Sequence, residues 1–569
     1  MTVKLEFPSP LTFDRVMETR SVVAHNSLLF KIPFEILSII AENLYATASK
    51  KDLANLALVN SDCRQLARAC QFRSVKLDAS SNSEKLLGLL RREVIERRHN
   101  QGHTRNPSLG VCMRHLKGNI QSFGEAIRNA IPRKPGRSVE DAWVSDDDAF
   151  DSDEEEAERW EDLSELMKAK AENHRSNVLF VASHLPHLET FEMDVADWNT
   201  ALFNHIISSP SIKNLTFRML KVQECAPTAV YGAIAWPLET LDISLDCEES
   251  FDFFSEGPPV NISENYSTIL KPCSTSLRSL KLSHQDIANG KRSQDPISFS
   301  LKFPSLQYLD INEETGFDQS ALRSLVLSSS SLSTLAINYA NKTTRKLLDH
   351  HGQIPSLETL VLHMYKDPGE RVALEFLKQN KQLKSFAIDG ARTVSLIERT
   401  LSLLTTFSNL SKLSLAWKGD KIPDSSLIAI SKLSSLEVIH LTAGRQQGLK
   451  LDWLVDHEPI RHHLGVLRNL KRIAFTRDIY SYPYKGRYVP YSDYLTLQKQ
   501  NETSHFKFMH SCAYKYVQEW PFLQFLHIGL ISVHIHRGER QTRFEQDLDV
   551  HFSWMRDMFG IDRDSTVWR

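Results

Sequence analysis

The chain has 569 residues, 41% hydrophobic and 24% charged, with a formal net charge of -2. That length leaves room for more than one domain, and a charge this small excludes a global field that would gather nucleic acid or a membrane surface. Seven cysteines, odd in number and never in a Cys-x-x-Cys pair, exclude a disulfide framework and a zinc ribbon.

The cysteine usage points to a reducing compartment, the cytoplasm or the nucleus. The opening Met1-Thr-Val-Lys-Leu-Glu-Phe-Pro8 lacks the apolar core of a secretory leader. No apolar run approaches the ~18 residues that span a bilayer. Residues 1–27, with Pro8 and Pro10, read as a loose lead-in.

Residues 28–77 read as three short helices. Pro33 suits a first helical turn, and Ile36, Leu37, Ile40 and Leu44 follow at helical spacing. Leu53, Leu56 and Val59 carry the second helix, and Cys63, Leu66 and Cys70 the third. A bundle this small buries little by itself and leans on something else. The plain reading is an N-terminal cap; the family resemblance described below implies instead that Pro33, Ile36, Leu37, Leu53 and Leu56 present an apolar docking face. Phe72-Arg-Ser-Val75-Lys-Leu77 closes the segment on a strand-like pattern.

Residues 78–139 read as two helices, one on Leu86 to Ile95 and one on Leu116, Ile120, Phe123 and Ile127. From residue 1 to 139 there are 22 Lys/Arg against 12 Asp/Glu. Between Glu140 and Glu165 the balance reverses, to 14 acidic residues and one basic, Arg159. Such a run repels itself, so 140–176 is expected to be an unfolded acidic linker. Ser145 and Ser152 each precede three acidic residues, a setting that resembles acid-directed kinase sites.

Residues 177–476 carry a repeated pattern of apolar, two residues, apolar, one residue, apolar. Leu306-Gln307-Tyr308-Leu309-Asp310-Ile311 shows it plainly. It recurs from Leu188/Phe191/Met193 to Leu470/Ile473/Phe475, and a last copy stands at Leu523/Leu526/Ile528. Steps of 26, 25, 26, 27 and 26 separate the copies between Leu306 and Leu436. This is the period of a leucine-rich-repeat solenoid. The last two apolar residues share one face of a short strand, and a helix follows, with Asp318 as an expected N-cap.

One unit cannot stand alone. Three buried apolar side chains give roughly 5–9 kcal/mol gross, whereas ordering some 26 backbones costs at least ~26 kcal/mol. Stacking on neighbours closes that gap. The strands are expected to line a concave parallel sheet with helices outside. The buried asparagine that such repeats often carry is absent; Ala196, Leu220 and Asp246 stand in its place. Glu192, Asp194, Asp242, Tyr308, Asp310, Asn312, Asn338, His363, Asp389, His440 and Arg472 alternate with the core and read as a polar recognition surface.

Residues 477–516 break the period. Eight of the 14 tyrosines fall between 480 and 516, interleaved with Lys485, Arg487, Lys499 and Lys507. Tyrosine offers contact area at little rotamer cost. Tyr480, Tyr482, Tyr484, Tyr488 and Tyr491, with His440 and Arg472, are therefore the expected substrate-binding set; the alternative is that they plug the concave face as filler. Residues 517–569 hold the last repeat and an expected cap helix on Phe544, Leu548, Phe552 and Met555.

No phosphate loop, dinucleotide fingerprint or nucleophile elbow occurs. His457-Glu458-Pro459-Ile-Arg-His462 has one residue too many for a zincin helix, and Pro459 is expected to spoil the helix. His534 and His536 lack further ligands nearby. No catalytic residue, metal or cofactor is expected.

Residues 32–72 resemble an F-box, the motif by which a substrate receptor docks on the Skp adaptor of an SCF-type ubiquitin ligase. The opening Leu-Pro-x-Glu-Ile/Leu-Leu is matched by Ile32-Pro33-Phe34-Glu35-Ile36-Leu37, then Ile40 and Leu44. The second half is matched by Leu53, Leu56, Val59, Asn60 and Leu66. Ile32, Asn60 and Phe72 depart from the usual Leu, Cys and Trp. An F-box followed by repeats is similar to fungal F-box/leucine-rich-repeat receptors. The resemblance implies an α/β chain, a short α-helical F-box followed by an irregular solenoid. It implies adaptor contacts by Ile32, Pro33, Ile36, Leu37, Ile40, Leu44, Leu53, Leu56, Val59 and Leu66. It also implies a cullin reached through the adaptor, an unidentified protein substrate, and no catalysis by this chain; neither membrane nor nucleic acid is expected as a partner. The rival reading is a scaffold with no part in ubiquitin transfer.

Overall fold

The computed structural model describes residues 32–47, 50–78, 80–100, 108–119, 154–194, 196–198, 206, 209, 211–222, 235–246, 262–285, 296–311, 317–338, 342–350, 352–363, 370–389, 392–419, 421–443, 446–447, 450–451, 455–475, 507, 510–528, 531–537 and 542–547. The chain divides between Asp295 and Pro296 into two compact units.

The N-terminal unit begins with α1 (Phe34–Thr47), α2 (Lys50–Val59) and α3 (Ser61–Gln71). Then come β1 (Ser74–Leu77), α4 (Ser81–His99), β2 (His115–Gly118) and α5 (Glu154–Ala182). After these follow β3 (Thr190–Met193), β4 (Ala196–Trp198), β5 (Asn214–Val222), β6 (Thr240–Asp246), α6 (Ile262–Leu270) and β7 (Ser279–Gln285). The strands β1, β2, β3, β5, β6 and β7 pair in that order, all parallel, and β4 pairs beside β3 on the long β5.

The C-terminal unit alternates strand and helix. Its elements are β8 (Tyr308–Ile311), α7 (Gln319–Leu327), β9 (Thr334–Asn338), α8 (Lys342–His350), β10 (Thr359–His363) and α9 (Glu370–Gln379). Next are β11 (Ser385–Asp389), α10 (Val394–Leu404), β12 (Lys412–Ala416), α11 (Asp424–Ser431) and β13 (Val438–Thr442). A two-residue antiparallel pair, β14 (Gln446–Gln447) and β15 (Lys450–Leu451), precedes α12 (His457–Leu464), β16 (Arg472–Phe475) and β17 (Phe525–Ile528). Neighbouring strands from β8 to β17, with β13 next to β16, pair in parallel. An antiparallel hairpin, β18 (Ile531–Arg537) and β19 (Thr542–Asp547), follows. Both units are built as a leucine-rich-repeat solenoid is.

All twelve apolar triplets fill the core. None of their side chains, from Leu188 to Ile528, is more than 3% exposed. Full burial of each contributes about 1.5–3 kcal/mol. The outer helices of the C-terminal unit are 8 to 11 residues long, too short to hold in water alone. They persist because one face packs inward, as Leu322, Leu325 and Val326 do on α7. Asp318 caps α7 as expected, its Oδ1 accepting from the Ala321 N–H at 2.8 Å.

Serines link the layers where asparagines are missing. Ser276 Oγ donates to the Leu238 carbonyl at 2.9 Å, Ser329 Oγ to that of Leu306 at 2.7 Å. Ser356 Oγ reaches the Leu332 carbonyl at 2.8 Å, and Ser435 Oγ that of Leu410 at 2.7 Å. Each bond joins a residue just before one strand to the first leucine of the preceding unit. Asn380 does similar work by its amide, accepting from the Ile354 N–H and donating to the Gly352 carbonyl.

Four expectations are corrected. Leu116 lies on β2, not on a helix, because Val75 and Leu116 pair in register. The acidic segment is helical from Glu154 onward. Glu, Ala, Leu and Lys are strong helix formers, acidic side chains favour a helix N-terminus, and buried Val178, Leu179 and Val181 anchor the other end. Residues 140–153, with Ser145 and Ser152, lie outside the described residues. Phe544 lies on β19, opposite Ile535, where pairing with β18 overrides helical spacing; residues 548–569 are not described. Pro459 does not spoil a helix. It sits in the first turn of α12, where its missing N–H costs nothing, with Asp456 as N-cap.

Candidate functional site

The helical bundle carries apolar side chains both in its core and in solvent. Leu37, Ala41, Leu53, Leu66, Ala67 and Cys70 form its core, with Ile32, Leu44 and Leu56 packed partly against it. Ile36, Ile39, Ile40, Leu58 and Val59 point outward, at 45%, 52%, 40%, 77% and 62% exposure. Of the twelve exposed large apolar side chains among the described residues, these five fall within residues 36–59. Exposed apolar side chains are common singly, and a concentration of five within twenty-four residues of sequence is not.

The expected docking face is therefore corrected in part. Leu37 and Leu53, each 2% exposed, hold the bundle together and do not face outward. Leu66 is core as well, at 4%. Pro33, Ile36, Ile40 and Val59 do face solvent. Ile39 and Leu58 were not singled out from the sequence. For Ile39 the signal was a second stripe on α1, at Ile36, Ile39 and Ile40, beside the inward stripe of buried Leu37 and Ala41 and half-buried Leu44.

Helix α3 serves two cores. Asn60 caps it, its side chain accepting from the Cys63 N–H at 2.7 Å. One side packs in the bundle through Leu66 and Cys70. On another, Ala69 meets Val111 and Cys112, with Phe72 beside them. Gln65 Nε2 donates to the buried Ser108 carbonyl at 3.0 Å. The same loop is held by Glu93, which accepts from the Leu109 and Gly110 N–H groups at 2.9 Å and from Ser108 Oγ at 2.7 Å. The bundle is thus tied to the first repeats of its own unit.

On the strands, residues between the core positions project from the opposite side of the sheet. In the N-terminal unit the first such row is His115, Thr190, Asn214, Thr240 and Ser279. The second is Lys117, Glu192, Thr216, Asp242 and Lys281. Asp194, Arg218, Ser244 and Ser283 follow. All fourteen are polar, and all but Thr190, Asp194 and Ser244 are partly exposed.

Charges on this face alternate in sign. Lys117 Nζ lies 3.4 Å from Glu192 and 3.7 Å from Asp194. Arg218 Nε is 3.7 Å from Asp194, and Lys281 Nζ is 3.8 Å from Asp242. His115 Nε2 is hydrogen-bonded to Glu192 Oε1 at 3.1 Å. Burial raises the Glu192 pKa, but the His115 bond and the His115, Lys117 and Arg218 charges outweigh it and hold it at about 2. Asp78, at the start of α4, is also held at about 2, by hydrogen bonds from Ser80 and Ser83.

Both groups have folded pKa values below the ordinary carboxylate value of ~4. Their stabilisation is complete above that pH and is lost as pH falls from about 4 toward about 2. Urea unfolding followed from neutral pH down to about pH 3 should show the N-terminal unit weakening through this window. Glu192→Gln should flatten part of that slope. An unchanged slope would mean that the His115 and Lys117 contacts to Glu192 are not kept in solution.

The C-terminal unit differs. Its middle row runs from Asp310 on β8 through Ala336, Val361 and Ala387 to Ser414, His440, Ala474 and His527, and none of these exceeds 5% exposure. His440, expected on an open recognition surface, is 4% exposed, its Nδ1 2.7 Å from Ser414 Oγ. Asp310 and His363 are likewise buried, 3.6 Å apart. Hydrogen bonds join Ser414 to His440 and His527 to Ser532, whereas Asp310 and His363 face each other as an ion pair too long for a hydrogen bond. Arg472 remains partly exposed. Tyr480, Tyr482, Tyr484, Tyr488 and Tyr491 lie outside the described residues.

Among the described residues no group of three His, Cys, Asp or Glu side chains could hold a metal. The Ser414–His440 pair resembles half a hydrolytic triad, but Ser414 is buried, at 1% exposure. Cys63 and Cys70 are buried, as core packing predicts. No described helix is long and apolar enough to cross a membrane.

No protein-family model matches the chain, and no curated protein matches it. Among solved structures, the crystal structure of the TLR13–ssRNA13 complex matches at 15% identity with a TM-score of 0.25. The match covers 53% of this chain and 54% of that one, so this chain spans about half of its length.

Proposed function

We propose that this chain is the non-catalytic substrate-recognition subunit of an SCF-type ubiquitin ligase. The bundle docks a Skp adaptor and through it a cullin, and the repeats hold a protein substrate. The gain in rate is proximity, with no chemistry done by this chain. One observation carries the reading: a bundle of about forty residues leaves Ile36, Ile39, Ile40, Leu58 and Val59 exposed on one small element joined to repeats. An apolar surface of this kind on so small a bundle implies a partner.

The dual packing of α3 favours a second reading, in which the bundle is chiefly a cap for the repeats of a binding scaffold. Purification of the tagged full chain from its own cells separates the two. Co-purification of both a Skp adaptor and a cullin supports the ligase subunit. Adaptor without cullin, or neither, supports the scaffold.

A further inference from the structure

We infer that Lys412 and Arg472, in the C-terminal unit, form a binding site for a small free phosphate, either inorganic phosphate or a compact phosphate monoester. The inference rests on strand register and charge and stands apart from the adaptor reading.

Register places the two cations. Ser385 on β11, Lys412 on β12, Val438 on β13, Arg472 on β16 and Phe525 on β17 lie side by side in one row. The residue after each points into the core, Leu413 and Ile473 among them at 0% and 1% exposure. The row therefore lies on the opposite side of the sheet. Only β13 stands between Lys412 and Arg472, which sets their backbones roughly 10 Å apart. Two long side chains can close on one tetrahedral anion across such a gap.

The charges favour an anion there. Both side chains are partly exposed, and neither makes a hydrogen bond or ion pair among the described residues. Burial and the Arg472 charge push the Lys412 pKa below its ordinary value, against an opposing pull from Glu437. The two cations thus stand close enough to repel each other. Glu437 is engaged elsewhere, its Oε1 2.9 Å from Lys471 Nζ, and Glu358 likewise, 2.6 Å from Lys384 Nζ. The next row along the same five strands is Ala387, Ser414, His440, Ala474 and His527, with no carboxylate in it. Two partly buried cations without a counter-charge cost free energy, which an anion between them recovers. A phosphate monoester carries a charge of about -1.5 to -2 near neutral pH, enough to answer both. Arginine supplies a planar fork for two of its oxygens, and lysine a point charge for a third.

Access limits the size of the ligand. Ser385, Val438 and Phe525, which flank the cations, are 4%, 7% and 5% exposed, and the next row is closed as well. Solvent reaches this part of the face at the two cations and hardly around them. An extended chain needs an open run of several residues, whereas a phosphate needs only the opening over two side chains. The plain alternative is that both heads merely reach out into water along the sheet. That alternative predicts neither saturation nor a preference among anions.

The test is isothermal titration of the full chain with sodium phosphate near neutral pH, at fixed ionic strength. Binding should saturate at one site, and sodium chloride in its place should give none. Free phosphoserine should compete with phosphate. Lys412→Gln and Arg472→Gln should each weaken binding by at least about tenfold, and the two together should abolish it. Lys412→Arg keeps the charge and should keep binding. Phosphate should raise the melting temperature of the parent and not that of the double variant. Without phosphate the variants should melt no lower than the parent, since each loses a repulsion. Should the double variant fail to fold, the single variants carry the comparison. Ile36→Asp with Val59→Asp should leave phosphate binding intact, which separates failure of this inference from failure of the adaptor reading. The inference is overturned by the absence of saturable phosphate binding, or by equal binding in the parent and the Gln variants. Binding of a phosphoserine peptide without binding of free phosphate would overturn it too.

Discussion

Leu37→Asp with Leu53→Asp should unfold the helical bundle and weaken the repeats next to it. Each leucine is 2% exposed in a core of six residues. Replacement forfeits about 1.5–3 kcal/mol of apolar burial per site, and a carboxylate left in that core costs several kcal/mol more. A bundle this small has only a few kcal/mol to lose. The damage should not stop there, because α3 contributes Ala69 and Gln65 to the contact with Val111, Cys112 and the Ser108 carbonyl. Hydrogen exchange should show lost protection in α1 to α3 and reduced protection in β1 and β2. Native protection throughout would mean that the bundle and the repeats are not the joined body described here. Deleting the bundle is a poor test of docking for the same reason, since it removes part of the packing of the repeats.

The solenoid was legible in the sequence because its signal is redundant. Twelve copies of one triplet each report the same strand, and a single misplaced residue cannot shift the pattern. The N-cap at Asp318 was legible because capping is local chemistry. What failed was single-copy inference. Phe544 sits at helical spacing from Leu548, yet its partner is Ile535 on a neighbouring strand. The charge of residues 140–165 argued for an unfolded run, but from Glu154 onward charge alone does not forbid a helix rich in Glu, Ala and Leu. The serine ties between units were invisible because a serine beside a leucine is too common to signal anything.

The candidate site was half legible. Helical spacing found the apolar residues of the bundle but could not divide them, because α1 is apolar on two sides. Leu37 and Ile36 are adjacent in sequence, equally apolar, and opposite in role. The strand face opposite the core was only partly legible for a related reason. Alternation says which residues leave the core side of a strand, and not whether that side meets solvent. Asp242 and His440 hold equivalent positions in their units, and only Asp242 is partly open.

Ile36→Asp with Val59→Asp addresses docking without touching the bundle core. Both side chains are already largely in water, at 45% and 62% exposure, so the fold loses little. At an interface the same change buries two carboxylates against apolar surface, at several kcal/mol. Each 1.4 kcal/mol is about tenfold in affinity. The direct measurement is a titration of the purified full chain with a purified Skp adaptor, parent beside double variant, with the melting temperature of each recorded. The parent should bind saturably, and the variant should melt with the parent yet bind at least about a hundredfold more weakly. Equal binding by both chains, or no binding by the parent, would contradict docking through this surface.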